Sequence, residues 1–300
     1  MNISKIKFIG NHRLLIIFLS IIYFILIGFI NSKGAYDLAM LNMFRNDESN
    51  IYNTSSGLLR GNGFGESFGY FINPEFKMYG YIYHFLNAIA LIISSPFKAI
   101  SSLSALQFDV FILRQLNVIY FLLAIWILIE YIFNKASSVE KMLAWVFVVT
   151  IPGVFMNNVW IHTDNLGLLL VVSTIYTLSK DNNNFGFNFY LSGLLWGLSI
   201  NTKFVGLFLF PMFIYYIFFK GNINLYGFKK LVLNFLKLLF IVIVSYLITS
   251  PFLFINHNAI RILDEILQYS KSYVTGSINV PTQFKPLFWY QEVISTYFFK

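Results

Sequence analysis

Long apolar runs separated by short polar junctions organise this chain. They cover residues 14–30, 79–97, 110–133, 142–160, 164–179, 187–202, 204–219 and 231–249. Runs of about 16–24 apolar residues match the length of a helix crossing hydrocarbon. They are continuous and do not alternate with period two, which predicts helices and not a barrel. Lysines mark alternate junctions: Lys135 and Lys141, then Lys180, then Lys220, Lys229 and Lys230. Excess positive charge marks cytoplasmic loops, so runs 110–133, 164–179 and 204–219 are expected to end inside, and 142–160, 187–202 and 231–249 outside. At the start, Lys5, Lys7, His12 and Arg13 precede run 14–30. That run is too long for a signal-peptide core and no small-residue cleavage site follows, so it reads as a retained first span with its N-terminus inside.

Parity then constrains run 79–97. Run 14–30 ends outside and run 110–133 must begin outside, so 79–97 is not a simple span. His84, Asn87, Ser94, Ser95 and Pro96 interrupt it, which suits an interfacial or re-entrant helix. Residues 31–109 then form one long extracytoplasmic loop, 110–249 six further spans, and 250–289 a second outer segment. The expected fold is an all-α polytopic membrane bundle of about seven spans with a helical first loop. In that loop Ile51, Tyr52, Leu58 and Leu59 share a helical face, predicting an amphipathic helix on the membrane. Gly61, Gly63, Gly65 and Gly69 follow as a flexible turn.

Composition agrees. Hydrophobic residues make up 57% and charged residues 11%, with a mean hydropathy of +0.68; a soluble domain of 300 residues needs more charge to cover its surface. The net charge of +8 belongs to cytoplasmic loops and not to nucleic-acid binding. Cysteine is absent, excluding disulfides and thiolate chemistry. No phosphate-binding glycine loop and no histidine-rich metal spacing occurs, so neither a nucleotide fold nor a protein-built zinc site is expected.

The same topology gathers polar residues at the outer face: Asp47, Glu48, Lys77, Arg114, His162, Asp164, Lys203, His257 and Arg261. Ionisable groups at span ends are costly and often functional. Each also has a plainer role. Asp47 and Glu48 suit a helix N-terminus, and Asp164 an N-cap. Lys203 and Arg114 suit snorkelling cations, Lys77 and Arg261 ordinary interfacial positions, and His257 a loop.

Four stretches carry a family resemblance: Asn46-Asp47-Glu48-Ser49-Asn50-Ile51-Tyr52 with Gly57-Leu58-Leu59-Arg60-Gly61; Phe76-Lys77-Met78-Tyr79-Gly80-Tyr81; Arg114-Gln115-Leu116-Asn117; and Leu191-Ser192-Gly193 through Ser199-Ile200-Asn201-Thr202-Lys203-Phe204. His162-Thr163-Asp164 and Ser250-Pro251-Phe252 fall between and after them. In order and spacing the chain resembles the GT-C glycosyltransferases, in particular the protein O-mannosyltransferase-like group that includes the bacterial aminoarabinose transferases for lipid A. It departs from them at Glu75-Phe76-Lys77-Met78, where the family has a proline. The chain also ends at Lys300, where family members continue with more spans, so it reads as a short or truncated member.

The resemblance implies a GT-C-type bundle in the plasma membrane with its site on the extracytoplasmic face. It implies inverting transfer of a sugar from a polyprenyl phosphate to a lipid, glycan or protein acceptor. Asp47 would be the base, Glu48 would orient the loop or share the proton, and Asp164 would position the acceptor or support the base. Lys77, Arg114, Lys203 and Arg261 would bind the donor phosphate. A divalent cation on Asp47, Glu48 and Asp164 stays open. Two other classes remain in view: a transporter or flippase of a lipid-linked sugar, and a catalytically silent relative.

Overall fold

The computed structural model describes residues 12–38, 40, 41, 46–59, 66, 81–220 and 227–250, with the backbone alone for His12, Asn46 and Asp47. Its helices are α1 His12–Asn31, α2 Asn46–Gly57, α3 Tyr81–Lys98, α4 Ala105–Ile132, α5 Ser138–Thr150, α6 Pro152–Asn158, α7 Asp164–Lys180 and α8 Phe187–Thr202. A 3₁₀ turn Phe204–Leu209, α9 Phe210–Ile214 and a π turn Tyr215–Lys220 follow, then α10 Phe228–Ile248. There is no strand among the described residues. Among the described residues three helices are long and apolar enough to cross a membrane: Arg13–Asn31, Ala105–Ile132 and Phe228–Ile248. A fourth is added if α5 and α6, bent by 70° where Pro152 follows Ile151, form one broken span. Large apolar side chains face outward on these helices, among them Phe18, Phe29, Phe240 and Ile248, as lipid contact requires and water contact penalises.

The chain divides into two compact units. The first joins Met1–Gly28 to Arg114–Tyr246. Here α4 runs antiparallel to α1: Gln115 Nε2 donates to the Phe24 carbonyl near one end, and Arg13 pairs with Glu130 at the other. Lys141 on α5 joins Glu130 at 3.2 Å. The turn into α5 is set by a capping box, in which Ser137 Oγ accepts from Glu140 N–H and Glu140 accepts from Ser137 N–H. Ile16, Phe121, Ile125, Ile129, Trp145 and Val149 fill the core between α1, α4 and α5.

The sequence from α7 to α10 zigzags. α7 and α8 form an antiparallel hairpin whose turn is held by Asp181, its carboxylate accepting from Phe185 N–H, Gly186 N–H and the Tyr216 hydroxyl. Lys203 alone separates α8 from the returning 3₁₀ turn. Gly206 permits this return, because a Cβ there would stand 2.6 Å from the Ile200 nitrogen. Trp196 Nε1 donates to the Gly206 carbonyl at 2.7 Å and its ring stacks on Phe213. α10 runs parallel to α8: Gly193 lies against Leu238, and Gly197 against Val242 and Ser245. This small-xxx-small spacing lets two apolar helices approach closely.

The second unit joins Phe29–Leu113 to Leu247–Lys300. α2 packs on α3 through Ile51, Thr54, Ser55 and Leu58, all buried, a stripe at helical spacing. Asn87 Nδ2 donates to Ser55 Oγ, which lies 3.2 Å from His84 Nδ1. The helix therefore begins at Asn46 and not after the acid pair, and its described buried face is half polar and turned to α3. Of the residues expected to share one face, Ile51 and Leu58 are buried and Leu59 is exposed. α3 is not among the three long apolar spans.

Candidate functional site

Antiparallel pairing of α7 and α8 brings the first residue of α7 to the last of α8. Asp164 and Lys203, far apart in sequence, meet there: Lys203 Nζ donates to Asp164 Oδ1 in an ion pair. His162 Nδ1 lies 3.0 Å from the other oxygen, Oδ2. At that distance the ring nitrogen must carry the proton, and the 3.4 Å approach of the Asp164 amide to the same atom is then no hydrogen bond. Lys203 and Asp164 side chains are 36% and 38% exposed, so solvent or a ligand reaches both. His162 is more enclosed. One carboxylate thus sits between two cationic or proton-donating groups on a partly open surface.

Lys203 owes its position to the break in the helix. Its backbone is extended, its N–H caps the Ser199 carbonyl, and its carbonyl accepts from Gly206 N–H. The side chain therefore projects from the apex of a two-segment hairpin and not from a helix flank.

A network of asparagines supports the loop carrying His162 and Asp164. Asn117 Nδ2 on α4 donates to the carbonyls of Asn157 and Trp160. Asn165 Nδ2 donates to Asn158 Oδ1 and the Asn117 carbonyl, and Asn157 Nδ2 donates to Asn165 Oδ1. Asn158 Nδ2 reaches the Tyr23 hydroxyl at 2.9 Å. Asn117, Asn158 and Asn165 are buried, where an unpaired amide would be costly and a bonded one fixes geometry. The signal in sequence is Asn157-Asn158 and Asn165 inside otherwise apolar runs.

Glu48 is buried at 1% exposure in the first turn of α2, and Asp47 precedes it on the same helix. Arg114 is buried, the tenth residue of α4 and not at a span end; it is enclosed, contrary to the snorkelling expectation. Lys77, His257, Arg261 and the outer segment 250–289 fall outside the described residues, apart from Ser250. In the second unit the sequence reading missed Asp109, which takes Lys98 at 2.7 Å and the Tyr52 hydroxyl at 3.4 Å. Among the described residues no three histidine or acidic side chains converge as a metal site.

His84 is buried between α2 and α3. Desolvation pushes its imidazole down to about 4, partly offset by a hydrogen bond with the Ile51 backbone. It is therefore neutral at pH 7.

No family model, curated protein or solved structure matches this chain.

Proposed function

We propose that the chain is a membrane-embedded glycosyltransferase that moves a sugar from a polyprenyl-phosphate donor to an acceptor hydroxyl. The observation that carries this reading is the junction of Lys203 with Asp164 and His162 on a partly open end of the α7–α8 hairpin. A donor that is a lipid must react at a membrane edge, and its leaving group is a phosphate that a fixed cation stabilises as charge develops. Lys203 supplies that cation. Asp164 and His162 hold it, so Asp164 acts in positioning and not in proton abstraction.

The seven-span arrangement and the orientation belong to this proposal. Arg13, Lys141, Lys180 and Lys220 all lie on the end of the first unit opposite Lys203, as shown by the Arg13–Glu130–Lys141 cluster and the Asp181–Tyr216 turn. The positive-inside rule then puts the Lys203 end outside. In the reaction the acceptor oxygen attacks the anomeric carbon, the carbon–oxygen bond to phosphate breaks, and the acceptor proton passes to a base. Asp47 is the proposed base. Glu48, being buried, is assigned to holding α2. Configuration inverts in the single displacement.

The test is transfer of labelled sugar from polyprenyl-phosphate donors in membranes containing the protein. Asp47→Asn is expected to lose about 10²–10⁴-fold in rate, the usual contribution of a positioned base, with unchanged membrane levels. Wild-type rates in that variant remove Asp47 from the role.

A transporter of the same lipid-linked sugars is favoured by one feature, the unwound backbone at Lys203 between two short helices, a device transporters use to meet charged substrates. Translocation without a glycosylated product in the same membranes would select it.

A further inference from the structure

α2 is poorly equipped to hold its own place. Its 12 residues, Asn46–Gly57, fall short of the length at which a helix is stable alone in water. Ile51 is the only aliphatic residue among them. The buried face is otherwise polar, made of Glu48, Ser49, Thr54 and Ser55. One apolar side chain fixes the register of such a helix weakly, because it can slide along a neighbouring groove where a directional hydrogen bond cannot.

α3 supplies those bonds. His84 and Asn87 are fully buried and, three residues apart, share one face of α3. Asn87 Nδ2 donates to Ser55 Oγ at 3.3 Å, and His84 Nδ1 lies 3.2 Å from the same oxygen. The imidazole also hydrogen-bonds the backbone of Ile51. Ile51 and Ser55 are four residues apart, so two neighbouring groups of α3 hold about one full turn of α2 at two heights. A slip of α2 by one residue moves it about 1.5 Å along its axis and turns it by about 100°. Ser55 would then leave the reach of both partners, and a buried amide and imidazole would lose this contact, which is costly. The acid pair belongs to the same rigid element. Asp47 precedes Ile51 by four residues and Glu48 precedes Ser55 by seven, one and two turns from the held positions.

We propose that His84 is a positioning residue: through Ser55 and the Ile51 backbone it sets the register of α2 on α3, and with it the place of Asp47. The register lock itself needs no catalysis; its effect on transfer rests on the reading of Asp47 as the base.

The test measures the register directly. The chain has no cysteine, so Asn50→Cys on α2 and Ile93→Cys on α3, both at exposed positions, place one spin label on each helix. The full chain so labelled is expected to give one narrow distance peak. His84→Phe, which keeps a ring without its nitrogens, and Ser55→Ala are each expected to add a population shifted by up to one turn, about 5 Å. His84→Asn, whose amide can stand where Nδ1 does, is expected to restore the single peak. In sugar transfer, His84→Phe is expected to lower kcat about 10²-fold, the scale of a misplacement of about 1 Å, with KM for the donor unchanged, and His84→Asn to recover most of it. Leu58→Ala removes packing against Tyr81 and Ala88 and leaves the hydrogen bonds. It is expected to lower the melting temperature while keeping the single peak and the wild-type kcat. A wild-type peak in both His84→Phe and Ser55→Ala overturns the lock, as does an equal second population in Leu58→Ala, which marks loosened packing of any kind. Shifted distances with wild-type kcat overturn the positioning role. A wild type that transfers no sugar overturns the glycosyl-transfer reading instead, and the distances alone then decide the lock.

Discussion

Lys203 and Asp164 illustrate how one pair can serve both structure and chemistry. Each is little more than one-third exposed, so their attraction as a stability term is small and screened, within about 1 kcal/mol. Their value is geometric: Asp164 and His162 fix an ammonium that would otherwise sample many rotamers. Lys203→Met is therefore expected to leave thermal unfolding of the solubilised protein nearly unchanged while lowering sugar transfer by about 10²-fold or more, the scale of a lost charge-stabilising donor. Lys203→Arg should restore part of that rate. A large drop in melting temperature with proportional loss of transfer would make the pair structural only. His84 gives a different expectation. Its folded value near 4 lies below its unfolded value of about 6.5. The unfolded chain thus binds the proton first, and stability is full above about pH 6.5, falls as pH drops, and levels off near 4. Melting temperature followed across that window should show the fall in wild type and a shallower one in His84→Gln. Equal slopes would mean that His84 is already charged or solvated. The acids and Lys203 stand out in sequence as charges at run ends. The asparagine bridge from Asn117 to the 157–160 turn does not, because a lone amide in an apolar run carries no sign of its distant partner.

The helices show where pattern suffices and where it fails. Continuous apolar runs predict α1, α4 and α10 to within a few residues, except that α4 begins at Ala105 and not at 110. That earlier start lets Asp109 lie within the helix and take Lys98, and leaves Arg114 enclosed. For α2, Ile51 and Leu58 are apolar and buried as the pattern says. The stripe is completed by Thr54 and Ser55, which hydrophobicity alone cannot assign to an interior. The break at Lys203 is legible as a charge between two short runs, whereas the close return of the 3₁₀ turn on its far side rests on Gly206, which lies against Ile200 and accepts from Trp196 of α8. The α8–α10 contact is the element most sensitive to size. A Cβ at Gly197 would lie 2.6 Å from the Val242 carbonyl oxygen and would overlap Ser245. Gly197→Leu is expected to destabilise by about 1–3 kcal/mol or more through overpacking, seen as a lower melting temperature, while Gly153→Leu, where nothing lies within 4 Å, should be tolerated. Similar melting temperatures for the two variants would refute the close seat.

At the scale of the whole molecule, membrane character follows from the exposed apolar surface of the long helices. Composition alone makes that legible. The number of spans is less so. α7, with 17 residues, and α8, with 16, are at or below the length that crosses hydrocarbon unaided, and the bend at Pro152 divides another run. Charge asymmetry bears on the proposed orientation: the described lysines and arginines of the first unit, apart from Arg114, Lys203 and Lys237, gather at the end opposite Lys203. The proposed topology makes residues 31–109 extracytoplasmic, so a reporter fused at Ser101 should signal outside, and a cytoplasmic signal there would invert or break it. The central claim is transfer at the outer face by the group around Lys203. Its most direct test is a time course of labelled-sugar transfer from polyprenyl phosphate in membranes holding equal amounts of wild type and Lys203→Met. The account predicts a glycosylated product from the wild type and about 10²-fold less from the variant; equal product from both, or none from the wild type with any polyprenyl-phosphate sugar, would contradict it.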